Sequence, residues 1–419
     1  MSAPLRLASQ RETGSNSMVA KHDDLTRFNS ILKPIRRRCR IPQRLSLSFL
    51  SAPFFLFGAA TFAAHACDTI KIGLVSEITG VNAEAGSYTV NGTKLAIETI
   101  NKNGGVLGKP LELVIEDNQS TNPGTVLAFS KLGGDKDIVA IIGPIRSTQV
   151  QAASPAIAKA GIPVMIGGTD PGLTKVNNPW VFRCRPNDSF SSRVIADFGV
   201  NTLKLKKWAI VHSTDTFGSG GKKALEDELK ALGVTPLLIQ GYTNNTQDFT
   251  PVVLAIKKSG AEVIGSYMTN STDTGIFAKQ LRQLGVSAAW VGSAANTTDT
   301  AMKLAGDALH GTYGVSDFSV DANEAAKAFA SAYRARYKLE PDVYSGWAFD
   351  ATNVIAQAIM ASKSTRADDI RKAILGLRDF KGVEGNYRFN EAGDGLSGYN
   401  VLRNEKGKLV FIKHVEFTR

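Results

Sequence analysis

The sequence predicts an α/β protein built as two doubly wound lobes with central parallel sheets. Short apolar runs of strand length recur through the chain, amphipathic helical faces lie between them, and the series is too long for one sheet of ordinary size. The first series opens with "IKIGLV" at Ile70, whose alternation and β-branched residues mark a strand. "LELVIED" at Leu111, "DIVAIIG" at Asp137 and the shorter "PVM" at Pro163 follow, giving about five strand–helix units before Arg185. "CRPNDSF", from Cys184, reads as a linker. A second series begins with "WAIVH" at Trp208 and continues with "TPLLIQ" and "EVIGSY". Leu225, Leu229 and Leu232 repeat at helical spacing, as do Phe277, Leu281 and Leu284, and then Ala326, Phe329, Tyr333 and Tyr337. Strands that alternate with helices form parallel sheets covered on both faces.

The charge distribution separates the first 66 residues from the rest. The 419-residue chain carries a formal +11, but ten of its basic and three of its acidic residues fall within residues 1–66. The remainder has 39 bases against 35 acids and no basic stripe interleaved with aromatics, so nucleic acid is not an expected partner. "RRRCRIPQR" is a basic segment, "LSLSFLSAPFFLFGAATFAA" an apolar one, and "AHA" at Ala64–Ala66 carries small residues where a signal peptidase reads. A cleavable signal peptide and a periplasmic mature chain are expected. Ser46, Ser48, Ser51 and Pro53 argue against a stable membrane anchor. Cys67 follows the cleavage point, but Ala64 and His65 fit a lipidation motif poorly. Cys67 and Cys184 are the only cysteines past that point, and Cys184 is expected to be buried and free.

Two turns are the candidate site. Ligands of open α/β sheets sit at the carboxyl ends of strands. "IIGPIRST" ends one strand and starts the helix "TQVQAASPAIAKAG", which Ser147 or Thr148 is expected to cap, turning its N-terminus toward an anion. In "IGGTDP", Gly167 and Gly168 let backbone approach closely and Thr169 offers a hydroxyl. Together they predict a small carboxylate ligand. Enzyme readings find no support: the G-x-G-x-x-G and G-x-x-x-x-G-K-[ST] loops are missing, and "FGSGG" lacks the spacing of a nucleophile elbow. Glu116–Asp117 reads as a solvated pair at a strand end. His212, His310 and His414 lie far apart, so neither metal nor cofactor is expected.

Five stretches, "IKIGLVSEITG", "GGVLGKPLELVIEDNQSTNP", "GPIRSTQVQAASPAIAKAGIPVMIGGTDPGLT", "WAIVHSTDTFGSG" and "GWAFDATNVIAQAI", run in this order from Asp68 toward the C-terminus. Together they resemble the periplasmic branched-chain amino acid (leucine/isoleucine/valine) binding proteins of ABC transporters, with the type I periplasmic-binding fold. That resemblance implies a monomer of two lobes joined by three hinge crossings, near Pro186, Asp317 and Phe389. The lobes would be residues 68–186 with 318–388, and 187–317 with 389–419. It also implies a branched-chain or other hydrophobic amino acid clamped in the cleft and delivered to an ABC permease and its ATPase subunits, without catalysis.

The resemblance places the family's carboxylate-binding serine at Ser147 and its threonine, which meets carboxylate and ammonium, at Thr169, with backbone groups from Gly167 and Gly168. Elsewhere the chain departs. Tyrosines of the leucine binders fall at Ala85, Phe217 and Asn270; the acid that pairs with the ammonium falls at Ala294; and Arg146 occupies a position of the family's disulfide. Asp170 is a substitute for the missing acid, Arg146 a second carboxylate contact, and Phe217 a wall for a ring or aliphatic chain. Two alternatives remain open on the sequence: the same transport role for an aromatic or aliphatic acid without an ammonium group, and a periplasmic sensor subunit.

Overall fold

The computed structural model describes residues 68–417; the basic segment, the apolar run and Cys67 lie outside the described residues. The first sheet holds β1 (Ile70–Ser76), β2 (Leu111–Asp117), β3 (Ile138–Ile142), β4 (Val164–Ile166) and β5 (Val181–Arg183) in the order β2-β1-β3-β4-β5, all parallel. Side-chain alternation divides each strand between two cores. Ile70, Ile72 and Leu74 of β1, with Ala140 and Ile142 of β3, pack under α1 (Ala83–Lys102) and three later helices, α9 (Glu324–Tyr337), α10 (Val343–Ser362) and α11 (Ala367–Gly376). Val75, Ile138 and Ile141 face the other way, onto α2 (Asn122–Gly134) and α3 (Ser147–Ala160). Burial on both faces is why these strands read as unbroken apolar runs.

The second sheet follows α4 (Asp188–Asp197). It holds β6 (Trp208–Ser213), β7 (Leu238–Tyr242), β8 (Val263–Tyr267), β9 (Ala289–Gly292), β10 (Tyr313–Ser316), β13 (Gly398–Glu405) and β14 (Lys408–Glu416), ordered β14-β13-β10-β9-β8-β6-β7. Five of its strands are parallel, but β13 and β14 run antiparallel to their neighbours, so this sheet is mixed where the sequence predicts a parallel one. The two strands form a hairpin across "NEKGK", with Lys406 and Gly407 at positive φ. A tight hairpin can only add antiparallel strands. Ala209, Val211, Ile264 and Trp290 pack onto α6 (Thr250–Ser259), α7 (Ser271–Gln283) and α8 (Asp299–Ala305), while Trp208, Ile210 and Val263 pack onto α4 and α5 (Thr216–Ala231). The helical spacings hold, with their last members at the edges: Leu232 and Leu284 are C-cap residues of α5 and α7 rather than core. A small hairpin, β11 (Phe380–Lys381) with β12 (Asn386–Tyr387), lies between α11 and β13.

The strands of the first sheet thus end at Arg183, the helices after Ser316 pack against that sheet, and the chain enters the second sheet again at Gly398. No helix among the described residues is long and apolar enough to cross a membrane. Cys184 is buried and forms no disulfide among the described residues. Asp117 anchors the loop after β1, accepting from Ile78 N, Thr79 N, Thr79 Oγ1 and Gln119 N, while Glu116 pairs with Lys131. Neither acid faces the cleft.

Candidate functional site

The carboxyl ends of both sheets converge on a cavity of about 50 Å³. Its walls come from both sheets' loops. Ile145, Arg146, Ser147 and Thr169 belong to the first series; Phe217, Met268, Thr269, Ser293, Ala294 and Ala295 belong to the second. Arg185, Asp188 and Ser191 line it from the segment that joins the sheets. Hydrogen bonds cross the cleft directly: Arg146 Nη1 donates to Thr269 O (2.6 Å), Thr216 Oγ1 to Gln151 Oε1 (2.8 Å) and Tyr88 Oη to Asp299 Oδ2 (3.0 Å). The cleft is closed.

The first turn places Ser147 inside the cavity wall. Gly143 makes the turn possible: its φ is +98°, and a Cβ there would stand 2.1 Å from Val75 O. The capping expectation needs correction. Arg146 stands at the N-cap of α3 and makes no side-chain cap, and Ser147 is the first helical residue. Its buried hydroxyl accepts from Asp170 N (3.2 Å), which leaves the hydroxyl proton free to donate into the cavity. The α3 N-terminus brings N–H groups and the positive end of the helix dipole to the same wall.

In the second turn, Thr169 is also buried, and its hydroxyl donates to Asp188 Oδ2 (2.8 Å). Ser191 Oγ donates to Asp188 Oδ1 (3.0 Å). Burial raises the Asp188 carboxyl to about 6 against these stabilising bonds. The two nearby arginines do not bond to it. Arg185 is held bidentately by Asp317 (2.6 and 2.9 Å) and by Gly167 O (3.1 Å). Arg183 is held by Asp394, Gly168 O and Asp170 O. Asp188 is therefore a buried acid in the cavity wall with hydroxyl partners and no ion pair among the described residues.

That arrangement redistributes the sequence-predicted residues. Ser147, Thr169, Arg146, Phe217 and Ala294 meet at the cavity; Gly167, Gly168, Asp170, Asn270 and Ala85 do not line it. The carbonyls of Gly167 and Gly168 each accept from an arginine, and neither residue lines the cavity. Asp170 is a turn residue: its Oδ1 accepts from Gly172 N (2.8 Å). Asn270 is the N-cap residue of α7, bonded through Nδ2 to Asn245 and Asp273. Ala85 is buried within α1. Phe217 meets Tyr267 edge-on, with ring centroids 5.6 Å apart.

Arg146 lies in the wall but is already engaged. Its Nε donates to Glu77 Oε1 (3.2 Å), its Nη1 holds Thr269 O, and its guanidinium lies 5.7 Å from the Tyr344 ring centre. Gln149 Nε2 donates to the same Glu77 oxygen (3.2 Å). Burial pushes the Glu77 carboxyl up despite the adjacent guanidinium. A neutralised Arg146 is no strong second carboxylate contact, and only Nη2 has no partner among the described residues. The sequence reading missed Asp188 and Glu77. Asp188 had a signal: Asn187 is an N-cap residue, accepting from Ser189 N (3.0 Å), so "PNDSF" starts a helix rather than continuing a linker.

Two open α/β sheets with a cavity between their carboxyl ends, bridged by hydrogen bonds across the cleft, define a two-lobed binding protein. Residues 69–408 match the periplasmic binding protein family, and the chain belongs to it. It is similar to an amino acid binding protein of Pseudomonas aeruginosa, at 29% identity over 353 residues, covering 83% of this chain and 93% of that one. It is similar to the Leu/Ile/Val-binding protein homolog 3 of Brucella melitensis, at 28% identity with 87% and 99% covered. Among solved structures, the branched-chain amino acid transporter substrate binding protein of Streptococcus pneumoniae, in complex with isoleucine, superposes with a TM-score of 0.78 at 26% identity, covering 83% of this chain and all of that one.

Proposed function

We propose that this chain is the substrate-binding protein of an ABC importer, exported by its N-terminal segment, and that it carries an α-amino acid with a branched-chain or other aliphatic-sized side chain to a permease and its ATPase. The observation that carries the amino acid reading is Asp188. A buried carboxyl beside Thr169, with no ion pair, matches a ligand ammonium. Ser147 and the α3 N-terminus, on the same wall, match the ligand carboxylate. Ile145, Phe217, Met268 and Val343 match an aliphatic side chain. The relatives named above support the same ligand class. A plain acid without an ammonium would leave Asp188 with no ligand cation to pair with, which disfavours that alternative.

The mechanism is hinge closure. Ligand binds the first lobe, the second closes over it, and the closed form docks on the permease. We take the lobes as residues 68–186 with 318–388 and 187–317 with 389–419, hinged near Pro186, Asp317 and Phe389. The Arg185–Asp317 pair joins two of these crossings. The test is a thermal-shift screen of the mature chain against L-amino acids and organic acids. A ligand at 100 times its Kd adds roughly 2.7 kcal/mol of stability. A set of stabilising aliphatic amino acids is expected. Stabilisation by organic acids alone would overturn the reading.

A further inference from the structure

Ser293 is a cavity-wall group to which the ligand's ammonium and carboxylate give no use. It follows β9 and occupies the N-cap position of the short turn Ala294–Thr297, yet its hydroxyl makes no capping bond. Serine at such a position normally accepts from an N–H two or three residues on. Here Asn296 N donates to the Ser293 carbonyl instead (3.1 Å). Ser293 is 3% exposed, lines the cavity, and its Oγ has no partner among the described residues. Ala294 and Ala295, which follow it in the cavity wall, are apolar and offer no side-chain hydrogen bond. A buried hydroxyl without a partner is unfavourable, and a ligand oxygen would relieve it.

The position of Ser293 indicates which part of the ligand it meets. In the proposed reading, the ligand's main-chain groups are met by Ser147, Thr169 and Asp188, from the first sheet's loops and the joining segment. Ser293 comes from the second sheet, as do Phe217 and Met268, two of the side chains proposed to receive the ligand's own. Across the cavity, Arg146 Nη2 is a further donor without a partner among the described residues. We propose that Ser293 hydrogen-bonds an oxygen on the ligand's side chain, so that the site prefers a β-hydroxy amino acid to its aliphatic isostere. This rests on the amino acid reading above and narrows it. A site built to bond a hydroxyl rejects the analogue that lacks one, because its own polar group is left unpaired.

Threonine and valine share a branched shape and differ by hydroxyl against methyl, so their contrast isolates this bond. Calorimetry of the mature chain with L-threonine, L-valine and L-alanine should find threonine bound about tenfold or more tighter than valine. Ser293→Ala should weaken threonine but not valine, and bring the two within about threefold. A wild-type protein that binds valine as tightly as threonine overturns the proposal without any variant. Equal weakening of both ligands by Ser293→Ala overturns it too, since Ser293 would then hold main-chain groups, with the amino acid reading intact. If none of the three amino acids binds the wild-type chain and organic acids do, the amino acid reading fails and this inference with it.

Discussion

Replacing Asp188 by asparagine removes one charge while keeping size and an oxygen that can accept from Thr169. In the wild-type cavity Asp188 is 2% exposed and has only hydroxyl partners, so a ligand ammonium would be its sole charged neighbour at bonding distance. A charge-assisted hydrogen bond contributes about 1.5–3 kcal/mol net, or roughly 10- to 150-fold in Kd. Asp188→Asn should therefore weaken an L-amino acid by that factor at pH 7.5. It should leave the des-amino analogue unchanged or improved, because the charge that opposes a plain carboxylate is gone. The pH dependence has a definite sign. Burial holds the free carboxyl at about 6, above its ordinary value, and the ammonium requires the ionised form. Affinity should be constant above about pH 7 and fall as pH drops through 6, by up to about tenfold per unit. The variant should lack that fall. Calorimetry across pH 5–8 measures both. An Asp188→Asn protein that binds within twofold of wild type and keeps the same pH profile would refute the assignment of the ammonium.

Ser147→Ala keeps helix α3 and removes the hydroxyl in the cavity wall; affinity for the amino acid should fall by about 1–3 kcal/mol, read by the same calorimetry, with little change in melting temperature. Phe277→Ala deletes a ring that packs edge-on between Phe249 (5.5 Å) and Trp290 (5.1 Å) in the core of the second sheet. The loss should be about 3–5 kcal/mol of stability in urea unfolding, because the surrounding rings cannot collapse fully into the space.

The fold was legible because its signals are local. Runs such as "IVAII" are continuous because helices cover both sheet faces, and the break at "CRPNDSF" separates two series that do form separate sheets. The hairpin of β13 and β14 was not read, since its strands come after a run of three helices and pair with a sheet begun two hundred residues earlier. Of the site, the two turns were legible because strand-end glycines and hydroxyls mark them. The acid was not. Ala294 stands where the resemblance leads one to expect a carboxylate, and Asp170 is the substitute that the sequence offers. Asp188 reaches the cavity from the first turn of α4, 19 residues along the chain from its partner Thr169. Only the fold brings those two together. Asp170, adjacent to Thr169 in sequence, is turned away by its own bond to Gly172 N.

The central claim is that the cleft holds an α-amino acid with its ammonium on Asp188 and its carboxylate at the start of α3. A crystal structure of the mature protein with its tightest-binding amino acid from the thermal-shift screen tests this most directly. The account predicts the ligand nitrogen at hydrogen-bond distance, about 2.7–3.2 Å, from an Asp188 oxygen and from Thr169 Oγ1, with the carboxylate on Ser147 Oγ and the α3 N–H groups. A ligand lying in this cleft with its nitrogen away from Asp188, or with its carboxylate on the second lobe, would contradict it.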